Sequence, residues 1–308
     1  MDDYLALALG VLCAWLGGEL FVRGIVGLGH WARLPARIIG VTLAAFATSS
    51  PELSVAINSA LAGVPDLTLG DALGSNVVNI GLVLAIALLI SGIQTSFAEI
   101  RRDFLIALLT PILIGLLAWD GQLSRLDSLI LLSSFLLWLV AVIREAQQHR
   151  SAAGTDSLPN EQGWQSTTML AIIGLAFLIA AGRLIVSSAK SMAVAAGVDE
   201  FVIGATIVAV ATGTPELATT VISKLRGHDE LSLGNILGSN IFNGLLIVAV
   251  AASLAPISIV QSELAVGLIF GVITTVAIFP SSNGVIGRRR GGVLLLIYVA
   301  YVLIILQQ

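Results

Sequence analysis

Apolar residues come in runs of about 20, the length needed to cross a hydrocarbon core, and polar residues cluster in the short breaks between them. Ten runs stand out: 4–28, 37–62, 67–91, 103–119, 126–144, 166–191, 201–225, 231–254, 262–280 and 291–307. Each predicts a transmembrane helix. One longer break, 145–165 (E-A-Q-Q-H-R-S-A-A-G-T-D-S-L-P-N-E-Q-G-W-Q), is polar and linker-like. It separates two five-helix halves, residues 1–144 and 166–308. The expected fold is an all-α polytopic membrane protein.

Composition agrees. Only 11% of residues are charged and the mean hydropathy is +0.99, whereas a soluble domain is about 25% charged. The net charge of −4 matters less than where the charges lie. Arg33 and Arg37, Arg101 and Arg102, Arg144 and Arg150, Lys224 and Arg226, and Arg288 to Arg290 all fall in alternate breaks, hence on one side. The other side carries Asp66, Asp120, Asp127, Asp199 and Glu200, with Arg125 as its clear basic residue. The positive-inside rule places the basic loops in the cytoplasm of a cell (inner or plasma) membrane and both termini outside. Trp119, Trp138 and Trp164 lie near span ends, where interfacial aromatics gather; ordinary packing is the alternative. The acidic start, Met-Asp-Asp-Tyr, lacks a signal peptide's basic region, so the first run is expected to remain as a helix. The lone Cys13 excludes an internal disulfide and a cysteine–histidine metal site.

The two halves are copies. Residues 39–79 align with 203–243 at an offset of 164 without a gap, and 20 of 41 positions are identical. That is an internal duplication. Five spans per half is an odd number, so the second copy enters the membrane from the opposite side, as an inverted repeat.

Each copy buries a glutamate, Glu52 or Glu216, inside an apolar run. An ionisable group at that depth costs roughly 2.5–3.5 kcal/mol or more and marks a functional site by default. Around it stand A-T-S-S-P-E-L and A-T-G-T-P-E-L. Pro51 and Pro215 have no N–H, so the carbonyls of Ala47 and Ala211 lose their helix donors and need other partners in lipid. Spacings of three, four and seven place Ala45, Thr48, Ser49 and Glu52 on one face, and Ala209, Thr212, Gly213 and Glu216 on another. The second element, G-S-N-x-x-N, supplies Ser75, Asn76 and Asn79, then Ser239, Asn240 and Asn243. Carboxylates, hydroxyls, amides and loosened carbonyls are hard oxygen donors, suited to Na⁺ or Ca²⁺ and not to soft metals. Gly70, Gly74, Gly234 and Gly238 allow close helix approach. Taken singly, the proline is a kink, each Ser or Asn is interhelical glue, and a Glu can be a protonated structural group. Recurrence of the whole set, twice at one spacing, favours an ion site. Asp71 replaces its repeat partner Asn235, at an outer entrance or as a cap of the third span. Glu19 and Arg23 are placed to pair.

These motifs resemble the cation/calcium exchanger superfamily, and within it the sodium/calcium exchanger branch of prokaryotic type, with two inverted α-repeats. The resemblance implies ten helices, with broken helices 2 and 7 at a central ion site. It implies Glu52 and Glu216 as central ligands for Ca²⁺ and Na⁺. Thr48, Ser49, Ser75 and Asn79 would contribute from the first repeat, and Thr212, Ser239 and Asn243 from the second. Carbonyls of Ala45 and Ala209 would complete the set, and spans 1 and 6 would slide against a rigid bundle. Two positions depart from the pattern: Gly213 stands where the family usually has Ser, and Asn243 where some members carry Asp.

The expected function is therefore antiport of Na⁺ against Ca²⁺ by alternating access, in a chain that works as a monomer, with no cofactor beyond the transported ions. A proton-coupled antiporter of Ca²⁺ or another divalent cation is the alternative, with the glutamates carrying H⁺ when no cation is bound. An intramembrane hydrolase using paired carboxylates and a passive channel are remote readings. The first has no need of the proline-broken helix, and the inverted repeat argues against the second.

Overall fold

The structure is a computed structural model, described for residues 3–61, 63, 65–152, 163–195 and 213–307. In chain order, α1 is Asp3–Ala32. α2 runs through Ala36–Ile39, a π turn at Gly40–Ala44 and Ala45–Thr48. α3 is Ser50–Leu61. α4 comprises Asp66–Val78, a π turn at Asn79–Leu84 and Ala85–Ile90. α5 is Phe97–Leu117, α6 is Arg125–Ala152 and α7 is Trp164–Ala195. α8 is Thr214–Leu225. α9 comprises Asp229–Ile241, a π turn at Phe242–Ile247 and Val248–Leu254. α10 is Gln261–Ala277 and α11 is Arg288–Ile305.

Six of the described helices are long and apolar enough to cross a bilayer, and α2–α3 makes a seventh as a bent pair, with 45° between its parts. α8, α10 and α11 lie on the remaining three predicted spans. The first half of span 7, including Ala209 and Thr212, lies outside them. α6 continues to Ala152, so the start of the 145–165 stretch is helical. The reason is local: R-E-A-Q-Q-H carries good helix formers and no breaker.

Four two-residue strands, not expected from the sequence, join the halves as antiparallel clips. β1 (Ile93–Gln94) pairs with β4 (Val285–Ile286), and β2 (Gln122–Leu123) pairs with β3 (Ile257–Ser258). β1 and β3 are 164 residues apart, so each clip pairs the equivalent of the other's partner. That is the signature of an inverted two-fold. It recurs in the hydrogen bonds: Thr68 Oγ1 donates to the Ala56 carbonyl at 3.5 Å, and at the same offset Ser232 Oγ donates to the Thr220 carbonyl at 3.1 Å.

The buried apolar side chains form two clusters. The larger joins α4, α5, α6, α9 and their neighbours, from Val41 to Leu294. The smaller holds Phe21, Val22, Ile25, Ala171 and Leu178 of α1 and α7 against Ile39, Ala44, Ile222 and Leu231. α1 and α7 lie backbone to backbone: a Cβ on Gly174 would stand 2.3 Å from Phe21 N, and one on Gly24 2.4 Å from Ala171 N. Glu19 pairs with Arg23 as expected, and also with Arg226 beyond α8.

One expectation is corrected at the basic end, and another is extended. Trp138 is not interfacial. It is buried against Phe135 and Phe242, and its Nε1–H donates to Asp103 Oδ1 at 3.0 Å. Arg37 and Arg102 are more than orientation charges. Both engage the buried Asp103, at 3.1 Å and at 2.7 and 2.8 Å, and both also pair with Glu145. The network ties the start of α2 to α5 and α6. Trp119 and Trp164 are exposed, as expected for span ends.

Candidate ion-binding site

The site forms where the break between α2 and α3 meets α4, α8 and α9. The break falls at Ser49, whose φ of −86° and ψ of 8° leave the helical region. Pro51 follows it, as the missing N–H requires. The carbonyl freed by Pro51 finds another partner, as expected, and it is a protein one: Ala47 O accepts from Ser50 Oγ at 2.8 Å. Ala45 O accepts from Ser49 N at 2.9 Å and from Thr48 Oγ1 at 3.4 Å. In the second half Gly213 caps α8 and Pro215 sits in its first turn.

Thr48, Ser49, Glu52, Ser75, Asn79, Glu216, Ser239 and Asn243 are all buried here. Ser49 Oγ crosses from the first half to donate to Glu216 Oε1 at 3.2 Å, and Ser239 Oγ reaches the same oxygen at 3.5 Å. The Thr48 and Ser239 hydroxyls are 3.5 Å apart, and Thr48 Oγ1 donates to Asn235 Oδ1 at 3.3 Å. Asn76 Nδ2 donates to the Asn240 carbonyl at 3.2 Å, and Asn240 Nδ2 returns the bond to the Asn76 carbonyl at 3.1 Å. These residues are repeat equivalents, so the pseudo-two-fold axis passes between them. Asn79 Nδ2 donates to Asn240 Oδ1 at 3.1 Å. The π turns begin at Asn79 in α4 and at Phe242, beside Asn243, in α9. An extra residue per turn there re-aims the amides.

Close approach is achieved with glycine. A Cβ on Gly238 would meet Val41 O at 2.5 Å, and one on Gly234 would meet Arg37 O at 2.8 Å. α2 and α9 thus touch along their backbones, as the spacing predicts. A Cβ on Gly74 would stand 3.3 Å from the Tyr301 hydroxyl. The segment equivalent to α2, which Gly70 would meet under the repeat, lies outside the described residues. Asp71 is inside α4, whose N-cap is Pro65, so it does not cap the helix.

Several polar atoms are buried with no hydrogen-bond partner among the described residues: Glu52 Oε2, Glu216 Oε2, Ser75 Oγ, and both Oδ1 and Nδ2 of Asn243. Buried carboxylate oxygens are rarely left so. Among the described residues no lysine or arginine pairs with either glutamate. Two ionised glutamates would leave a charge of −2 that no cation among the described residues offsets. One Ca²⁺ or two Na⁺ would balance it, and hydroxyl, amide and carboxylate oxygens suit either ion. Among the described residues no three His, Cys, Asp or Glu side chains gather as a metal centre; the donors are mostly neutral.

Inverted halves with broken and π-turned helices at a shared acidic centre define a multi-pass membrane transporter. The chain belongs to the sodium/calcium exchanger protein family, which it matches over residues 3–144 and 166–307. It is 36% identical to the putative antiporter CaxA of Alkalimonas amylolytica, over 80% of this chain and 78% of the relative. It is 33% identical to the inner membrane protein YrbG of Escherichia coli K12, over 82% and 75%. It superposes on the sodium–calcium exchanger NCX_Mj soaked with 2.5 mM Na⁺ and 1 mM Sr²⁺ with a TM-score of 0.84, at 27% identity and 98% coverage of both chains. The fold is thus the ten-span inverted repeat.

Sequence reasoning missed three features of the site. The motifs mark Asn235 only as the counterpart of Asp71, yet it binds Thr48 and donates to Thr220 Oγ1 at 3.4 Å. Spacing does not set Asn240 apart from its neighbours, but its amide holds the two halves together. The π turns leave no clear mark in residue type.

Proposed function

We propose that this protein exchanges Na⁺ for Ca²⁺ across the cell membrane by alternating access, with Glu52 and Glu216 as the shared ligands of both ions. The observation that carries the reading is the pair of buried glutamates, one from each inverted half, each with an oxygen that no donor among the described residues satisfies. Thr48, Ser49, Ser75, Asn79, Ser239 and Asn243 line the same site. Thr212 and the carbonyls of Ala45 and Ala209 belong to it by the repeat. Residues 1–144 and 166–308 act as the two halves, and α1 with α7 is the pair that slides, supported by their shared backbone contact and separate apolar cluster. The basic loops face the cytoplasm and both termini lie outside, by the charge bias.

Radioactive Ca²⁺ uptake into Na⁺-loaded proteoliposomes tests this. Uptake should follow the outward Na⁺ gradient and fall to background in Glu52→Gln and in Glu216→Gln. Full uptake in either variant would remove the glutamates from the site. One asymmetry favours a second reading, proton coupling. Ser49 donates to Glu216, but its counterpart Gly213 has no hydroxyl for Glu52. Uptake that follows a pH gradient and ignores Na⁺ would select it.

A further inference from the structure

The stripe of α8 that carries Glu216 continues as hydroxyls. Thr219 and Ser223 follow at spacings of three and seven, so all three side chains stand on one face. Both residues are fully buried, and neither Thr219 Oγ1 nor Ser223 Oγ has a hydrogen-bond partner among the described residues. Helical serine and threonine commonly return the proton to a carbonyl one turn back, as Ser188, Thr110 and Thr275 do here. The flanks of α8 are committed elsewhere. Thr220 faces Asn235 of α9, and Ala218 and Ile222 pack on Gly18 of α1. The hydroxyl stripe lies between those flanks, and α8 also packs on the π turn and final segment of α4.

A lysine closes the end of this stripe. The Lys224 side chain is 1% exposed. Its ammonium donates to Gly92 O, just past α4, at 2.6 Å, and to Asp229 Oδ1, at the start of α9, at 2.8 Å. The other half has no such arrangement. The equivalents of Thr219, Ser223 and Lys224 are Val55, Ser59 and Ala60, and those of Gly92 and Asp229 are Pro256 and Pro65.

We infer that Thr219 and Ser223 form a transit site for a dehydrated cation between Glu216 and the face with the basic loops, and that Lys224 is its latch. The inference rests on the cation-exchange reading above. Hydroxyl oxygens replace hydration water one helical turn at a time. The path opens when α8 parts from α4, which requires the ammonium to leave Gly92 O. In place, its charge repels a cation at Ser223, so closure is both steric and electrostatic.

The test compares the parent protein, Thr219→Val with Ser223→Ala, Thr219→Ser, and Lys224→Gln. Ca²⁺ affinity is read by calorimetry in detergent and Na⁺-driven Ca²⁺ uptake in proteoliposomes. The double variant should bind Ca²⁺ within about threefold of the parent but exchange about tenfold more slowly, as expected for loss of a hydroxyl contact in transit. Thr219→Ser should keep the parent rate. Lys224→Gln should raise Ca²⁺ flux in the absence of a Na⁺ gradient. Unchanged exchange in the double variant, or equal losses of binding and exchange, overturns the transit site; no added flux in Lys224→Gln overturns the latch. If the double variant does not fold, Ser223→Cys in a Cys13→Ala background is challenged with a membrane-impermeant thiol reagent. Modification from the basic-loop side alone supports the route, and protection from both sides refutes it. A parent that moves no Ca²⁺ under a Na⁺ or a proton gradient refutes the exchange reading itself.

Discussion

Ser49 and Gly213 occupy equivalent positions, and only one has a hydroxyl. Ser49→Ala removes the donor that reaches Glu216 Oε1 at 3.2 Å and leaves the break in α2–α3 intact, because alanine tolerates φ −86° and ψ 8°. A hydrogen bond to a charged group is worth about 1.5–3 kcal/mol net. At the long end of the distance range the lower figure applies, so about 1.5 kcal/mol is lost, or roughly tenfold in an equilibrium constant. While its proton holds the carboxylate, the same hydroxyl keeps lone pairs to offer the ion, so its loss also removes an ion ligand, and Na⁺ half-saturation for driving Ca²⁺ uptake should rise by about that factor. Gly213→Ser makes the mirror change. Its backbone, φ −75° and ψ 5°, accepts serine, and by the pseudo-two-fold the new hydroxyl faces Glu52. Na⁺ half-saturation should fall, by up to about tenfold. The assay is uptake against Na⁺ concentration in proteoliposomes, with calorimetric Na⁺ affinity as a check. A shift below about threefold in Ser49→Ala would refute the role given to this bond. An effect of Ser49→Ala with none from Gly213→Ser would refute the functional mirror.

Two further substitutions probe the scaffold. Gly24→Ala drives a Cβ to 2.4 Å from Ala171 N, backbone that cannot turn aside; it should cost about 1–3 kcal/mol and lower the thermal midpoint in detergent, whereas Gly292→Ala, which meets nothing within 4 Å, should not. Equal midpoints would argue against the close contact of α1 and α7. Trp138→Phe removes the bond to the Asp103 carboxylate at 3.0 Å and should cost about 1.5 kcal/mol, while Asp103→Asn, which leaves two half-buried guanidinium groups short of a counter-charge, should cost about 3 kcal/mol. The reverse order, read by thermal unfolding, would count against the network.

The division into spans, the duplication and its inversion could be read from the linear order of residues, because hydrophobic run length, repeat spacing and the odd number of spans are properties of the covalent chain. So could the donors: Glu52 with Thr48 and Ser49, Ser75 with Asn79, and the matching set around Glu216. Sequence spacing places such groups on a shared face. It does not say which group on another helix they meet. That Ser49 serves Glu216, that Asn76 and Asn240 exchange bonds, and that Ser50 takes up the Ala47 carbonyl depend on side-chain rotamers and on contacts up to 167 residues apart. Trp138 illustrates the limit. Its position near a span end suggested an interface, but the pull of a buried carboxylate on α5 and the packing of Phe242 from the other half bring it inside. The orphan hydroxyls of Thr219 and Ser223 likewise become visible only once α8 is packed, since a hydroxyl's lack of a partner is a property of its surroundings and not of its own segment.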